Sequence, residues 1–127
     1  MSQDIFITQE DKNQILTLID KTEANQKDMI YLRDLEREVN RAKVIPQEVS
    51  SHSFISMNST VMLLVDDTLE EVTLVYPEDI NLKENKISVL SPMGTAILGL
   101  KEGSSIDWRI PNGMIHITVN KVMPQRI

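Results

Sequence analysis

The chain contains no cysteine. Disulfides, thiol nucleophiles and thiolate zinc sites are excluded together. Only two histidines occur, His52 and His116, and neither stands in a metal-ligand spacing; both read as ordinary surface or loop residues. Aromatics are scarce: Phe6, Tyr31, Phe54, Tyr76 and Trp108 are the whole set, so the core must be aliphatic. The four glycines sit at turns or a helix end and make no phosphate-cradling loop. No run approaches the roughly 18–20 apolar residues of a membrane span. The start, Met1-Ser2-Gln3-Asp4, lacks the basic residues and apolar stretch of a secretion signal. The expectation is a cytoplasmic protein with no membrane partner.

A basic surface is also missing. Net charge is -6, and residues 1–50 carry ten acids against seven bases while residues 51–127 carry nine against six. No segment forms a cationic patch or tail, which argues against phosphate neutralisation and direct nucleic-acid binding as the main activity. At 127 residues the chain has room for one ordinary domain, or a small domain with a helical appendage.

What is present begins with two helical patterns. Thr8-Gln9-Glu10-Asp11 resembles a capping box, with acids in the first turn. Ile15, Leu16, Leu18 and Ile19 then share one side of a helix from about Gln9 to Ile19, about 16 Å long at 1.5 Å per residue. Asp20 to Lys27 is polar and reads as a loop. From about Asp28, Leu32, Leu35, Val39 and Ala42 fall at three-four spacing. Pro46, after Val44-Ile45, limits that helix. Two short amphipathic helices around a polar loop make an antiparallel hairpin. Arg33, Arg37 and Arg41 form a stripe that Asp34 and Glu38 can pair, so it reads as a solvated face. The serine-rich stretch Gln47–Ser56 is a linker, and the division falls there: a helical hairpin over 1–48 and a second domain over 49–127.

In that second domain Thr60–Val65 and Glu70–Tyr76 make a strand pair around Asp66-Asp67. Asn81–Asn85 is a polar loop, and Lys86–Leu90 is a short strand-like run. Ser91-Pro92 then opens a short apolar helix, because proline suits a first turn, and Gly99 is placed to end it. Ile106, Trp108 and Ile110 alternate with polar residues, as do Ile115, Ile117 and Val119, around the hairpin signal Pro111-Asn112-Gly113. Met57, Met62, Met93, Met114 and Met123 read as gap-fillers in an aromatic-poor core. The whole is α+β: a half-wrapped antiparallel sheet around one helix.

No catalytic constellation emerges, and no cofactor or metal is implied. The one carboxylate pair of interest is Asp20 and Glu23 at the hairpin tip. Two acids there could help hold a divalent metal in a partner's active site; a solvated loop is the plainer reading.

The run Lys86 to Gly103, with Ser91-Pro92, Ala96-Ile97-Leu98-Gly99 and Gly103, resembles the C-terminal domain of the Gre transcript-cleavage factors, as does the closing Ile110-Pro111-Asn112-Gly113. The resemblance covers about Met57 to Val122. Within that family Met57-Asn58-Ser59, Leu74-Val75-Tyr76-Pro77 and Met93-Gly94 are similar to the Rnk group, regulators of nucleoside diphosphate kinase. The resemblance implies an FKBP-like second domain that docks on RNA polymerase at the rim of its secondary channel, in the cytoplasm of a bacterium. Carried onto this chain, docking falls on Ser91, Pro92 and Met93. Leu90 stands where Gre factors often have Asp or Asn. Those factors carry a much longer coiled coil whose acidic tip reaches the polymerase active site, so the short arm here implies binding without transcript cleavage. Polymerase is then the partner, DNA is met only through it, and the protein is expected to be a non-enzymatic monomer. Two alternatives stand beside this: a cleavage factor using Asp20 and Glu23, and a prolyl isomerase of FKBP-like fold.

Overall fold

The computed structural model describes residues 4–22, 26–45, 54–110 and 113–123. The chain opens with a strand, β1 (Phe6–Thr8), which runs straight into helix α1 (Gln9–Lys21). Thr8 is the hinge between them. Its backbone is extended and its Oγ1 accepts the Asp11 N–H at 3.2 Å, while Glu10 and Asp11 supply negative charge to the first turn. Ile15 is fully buried, with Leu16, Leu18 and Ile19 half-buried beside it.

Helix α2 (Gln26–Arg41) packs on α1 and buries Leu32, Leu35 and Val39. On its outer side Arg37 pairs with Asp34 at 3.2 Å, and Arg41 pairs with Glu38. Arg37 and Arg41 are thus each paired three residues away, as their spacing predicts.

Helix α1 runs past the apolar pattern, and α2 starts ahead of Asp28. Asp20 lies in the last turn of α1 and not in a loop. Lys21, Gln26 and Lys27 are good helix formers that need no apolar face to continue a turn. The Thr22 hydroxyl closes α1 by donating to the Leu18 carbonyl at 2.7 Å. At 1.5 Å per residue α1 is about 20 Å long. The stretch after α2 is not a helix tail. Lys43–Ile45 forms β2, paired in parallel with β1 in the register Phe6↔Lys43 and Thr8↔Ile45.

Residues 54–123 carry a five-stranded sheet of order β5-β4-β3-β7-β6. Its members are β3 (Thr60–Val65), β4 (Thr68–Val75), β5 (Lys86–Ser88), β6 (Ser105–Ile110) and β7 (Gly113–Met123). The β3–β4 turn holds Asp66 at a φ of 53°. The sheet is mixed, which corrects the expectation of an antiparallel one: β5 runs parallel to β4, with Thr73↔Lys86 and Val75↔Ser88. Residues 77–84 contain two 3-10 turns and carry the chain back to the start of β5. Strands β6 and β7 pair antiparallel with Ile110 opposite Gly113. Asn112 of the expected turn lies outside the described residues, as does the 46–53 stretch with Pro46 and His52.

Helix α3 (Pro92–Ile97) follows β5. Its Ile97, then Leu98 and Leu100, share one buried cluster with Val61, Leu63, Leu74, Ile117 and Val119 of the sheet. Ile5, Ile7, Ile15, Leu35 and Val39 of the first segment belong to the same cluster. The junction is also bonded through backbone. Phe6 N–H donates to the Gly99 carbonyl at 3.0 Å, Gly99 N–H to Ile55 at 2.8 Å, and Ile55 N–H to Leu100 at 2.9 Å. Met57 is buried as a core filler. Met114 is 55% exposed and fills no gap, because it sits near the β6–β7 turn beyond the core.

Candidate functional site

Ser91, Pro92 and Met93 lie at the corner between β5 and α3. The corner is built from a few groups that satisfy one another. Ser91 takes an extended backbone and caps α3, its Oγ accepting the Gly94 N–H at 3.0 Å. The same hydroxyl donates to the Ser88 carbonyl at 2.6 Å. Ser91 N–H reaches that carbonyl too, at 3.0 Å. The Ser88 hydroxyl accepts the Leu90 N–H at 2.9 Å, and Thr95 Oγ1 donates to the Val89 carbonyl at 3.0 Å. Pro92 at the first helical position has no N–H to leave orphaned.

Gly94 is the closest-fitting part. A Cβ there would overlap the Ser88 carbonyl and press on Val89 Cα. The first turn of α3 can lie on the end of β5 only because residue 94 has no side chain. The Ser91 hydroxyl is therefore engaged on both its donor and its acceptor side. What the corner turns outward is Pro92, exposed, with half-buried Leu90 and Met93 beside it. The corner thus turns an apolar knob outward on a hydrogen-bonded support.

Of the other expected pair, Asp20 and Glu23, only Asp20 is among the described residues. Asp20 is exposed in the last turn of α1, the end remote from β1. Glu23 lies outside the described residues.

A second polar locus went unread in the sequence. Near the start of α1 the Asp11 carboxylate accepts the Met57 N–H at 3.2 Å, tying the helix to the strand-entry loop of the sheet. Burial pushes the Asp11 carboxyl above its ordinary value, and nearby Glu10 adds to this; the Met57 and Thr8 hydrogen bonds pull the other way. The Tyr76 hydroxyl is buried and finds no hydrogen-bond partner among the described residues. Burial, with the charges of Asp11 and Glu10, drives its pKa far above that of a free phenol. The sequence places the four glycines at turns or a helix end, but Gly94 lies inside α3. It marks Asp11 only as a first-turn acid, and Ser88 and Thr95 carry no signal.

Comparison with known proteins bears on this corner. Residues 50–124 match the family model described as transcription elongation factor, GreA/GreB, C-terminal domain. The chain belongs to that family. The match contains the sheet, α3 and the corner, and leaves α1 and α2 before it. Over 82 residues the chain is 38% identical to the Escherichia coli (strain K12) protein named regulator of nucleoside diphosphate kinase, covering 63% of this chain and 60% of that protein. It is 32% identical over 98 residues to the transcription elongation factor GreA of Sulfurovum, covering 76% of this chain and 60% of that factor. Its matches thus span about three fifths of these two relatives' own lengths. Among solved structures, a prokaryotic transcription elongation factor GreA/GreB from Nitrosomonas europaea superposes with a TM-score of 0.76 at 33% identity, covering 97% of this chain and all of that one. That superposition includes the helical segment as well as the GreA/GreB C-terminal domain.

Proposed function

We propose that this protein is a transcription regulator that docks on RNA polymerase at the rim of the secondary channel through the Leu90–Met93 corner, without cleaving the transcript. The observation that carries the reading is the corner's construction. Ser88, Ser91, Gly94 and Thr95 satisfy one another and hold Pro92 and its apolar neighbours at the surface. A rigid apolar point loses little conformational freedom on binding, which favours affinity. Family membership supports the partner, and the FKBP-like reading of residues 49–127 supplies the support for the corner. The helical segment 1–48 serves as a short arm. With α1 about 20 Å long, that arm falls short of the longer coiled coil that places acids in the polymerase active site, and this supports a regulator that is not an enzyme.

The test is binding of purified protein to polymerase core, comparing wild type with Pro92→Ala. Binding by wild type and weaker binding by the variant are expected. No association of wild type at micromolar concentration would refute the reading. Stalled elongation complexes check the second point: shortening of nascent RNA by wild type, lost in Asp20→Ala, would establish the cleavage reading in its place.

A further inference from the structure

Two of the largest exposed apolar side chains stand close together in the chain between β4 and β5. Ile80 is 47% exposed and Leu82 is 76% exposed. An exposed leucine on a slack loop needs no explanation. This loop is not slack. Asn81 exchanges two backbone hydrogen bonds with Lys86, at 3.2 and 2.9 Å, and its side chain accepts the Lys83 N–H at 3.1 Å. Asn85 takes a left-handed backbone, donates its N–H to the Leu82 carbonyl at 3.2 Å, and accepts the Thr73 N–H at 2.9 Å.

Their position follows from the pairing. The Asn81–Lys86 bridge is antiparallel, so residue 80 runs back alongside Ile87 toward Ser88. Val89 N–H meets the Val75 carbonyl at 2.9 Å, which sets Tyr76-Pro77 beside Val89-Leu90. The loop therefore descends from the corner along the outer edge of the sheet. The proposed ridge takes in Leu82 and Ile80 along that edge, with Leu90, Pro92 and Met93 at the corner. Exposed Glu78 and Asp79 stand at its Ile80 end, exposed Lys83 follows Leu82, and Glu84 pairs with Lys86 at 3.1 Å.

We propose that Ile80 and Leu82 are a second anchor of the polymerase-docking surface, and that the patch they meet on RNA polymerase is apolar with lysine or arginine around it. The inference rests on the polymerase reading above. Ile80 and Leu82 supply the desolvated centre, where binding energy concentrates, and Glu78 and Asp79 supply complementary charge at the rim.

The experiment titrates fluorescently labelled protein with purified polymerase core at two salt concentrations. The double variant Ile80→Ser/Leu82→Ser is expected to bind about tenfold more weakly, with its thermal midpoint little changed because neither side chain is part of the buried core. Glu78→Lys/Asp79→Lys is expected to weaken binding more at low salt than at high salt. Leu69→Ser, which removes another exposed leucine (53%) at the start of β4, is expected to stay near wild type. If wild type binds and Pro92→Ala weakens it while the Ile80/Leu82 variant stays within about twofold of wild type, the ridge is overturned and the corner stands. If wild type does not bind at all, the polymerase reading falls first. Sedimentation of the protein alone covers the remaining occupant: a dimer that Leu82→Ser dissolves would assign the ridge to self-association and overturn the proposal.

Discussion

Replacing Ser91 by alanine separates two roles that a docking serine can play. The hydroxyl caps α3 through Gly94 N–H at 3.0 Å and donates to the Ser88 carbonyl at 2.6 Å. Loss of an N-cap hydroxyl costs about 1 kcal/mol. Loss of the second bond adds roughly 0.5–1 kcal/mol, toward the lower end because the Ser88 carbonyl keeps the Ser91 N–H. The sum is about 1.5–2 kcal/mol, which lowers the thermal midpoint of a chain this size by roughly 6 °C. Ser91→Thr retains both a donor and an acceptor and should stay within about 0.5 kcal/mol of wild type. Chemical denaturation, with calorimetry as a second probe, reads these values directly. Polymerase affinity should fall with corner stability across the two variants. A Ser91→Ala protein as stable as wild type would refute the bonding argument. One that is fully stable yet unable to bind would mean that the hydroxyl faces the partner and not Ser88.

Gly94→Ala should cost about 3 kcal/mol or more, because the clash is with backbone at Ser88 and Val89 and no side chain can turn away; denaturant midpoints check this, and loss of under about 1 kcal/mol would show that α3 can shift. Asp11 titrates above its ordinary value in the fold, so its protonated form contributes stability that is fully present below the unfolded-state value and is lost as pH rises through the folded one. Asp11→Asn should thus be neutral or stabilising at pH 7 and should flatten the acid limb of the stability–pH curve, since an amide oxygen still accepts the Met57 N–H. Asp11→Ala should destabilise by about 1–2 kcal/mol by orphaning that N–H; equal stabilities for the two variants would rule the Met57 bond out as a contributor.

Local rules carried much of this molecule in the sequence. The Thr8 cap, the three-four apolar seam of α2, the alternation in β6 and β7, and the Pro92 start of α3 all depend on neighbours within a few residues. What escaped depends on distant ones. Phe6–Thr8 and Lys43–Ile45 are too short to declare themselves strands, and pair only because α1 and α2 carry them side by side. The parallel entry of β5 beside β4 is set by the bonding of residues 77–86, where no hydrophobic period exists to read. At the corner, Ser91 and Pro92 are visible as a cap and a helix start. That the hydroxyl is engaged on both sides becomes evident only once the Ser88 carbonyl lies beneath it.

The same distant contacts govern how arm and corner relate. Gly99 ends α3 at a φ of 82°, a conformation that a side chain would strain. It also meets β1 so closely that a Cβ would lie 2.7 Å from Ile5 Cβ. One residue therefore terminates the helix that bears Pro92 and seats the strand that launches α1. The Phe6–Gly99 and Asp11–Met57 bonds fasten that strand and helix at two separate points. Two points of attachment resist rotation where one would permit it. A partner that grips the Pro92 corner then also fixes the direction in which α1 projects, without touching the helix. Under the proposed docking, this coupling sets where α1 stands beside the partner.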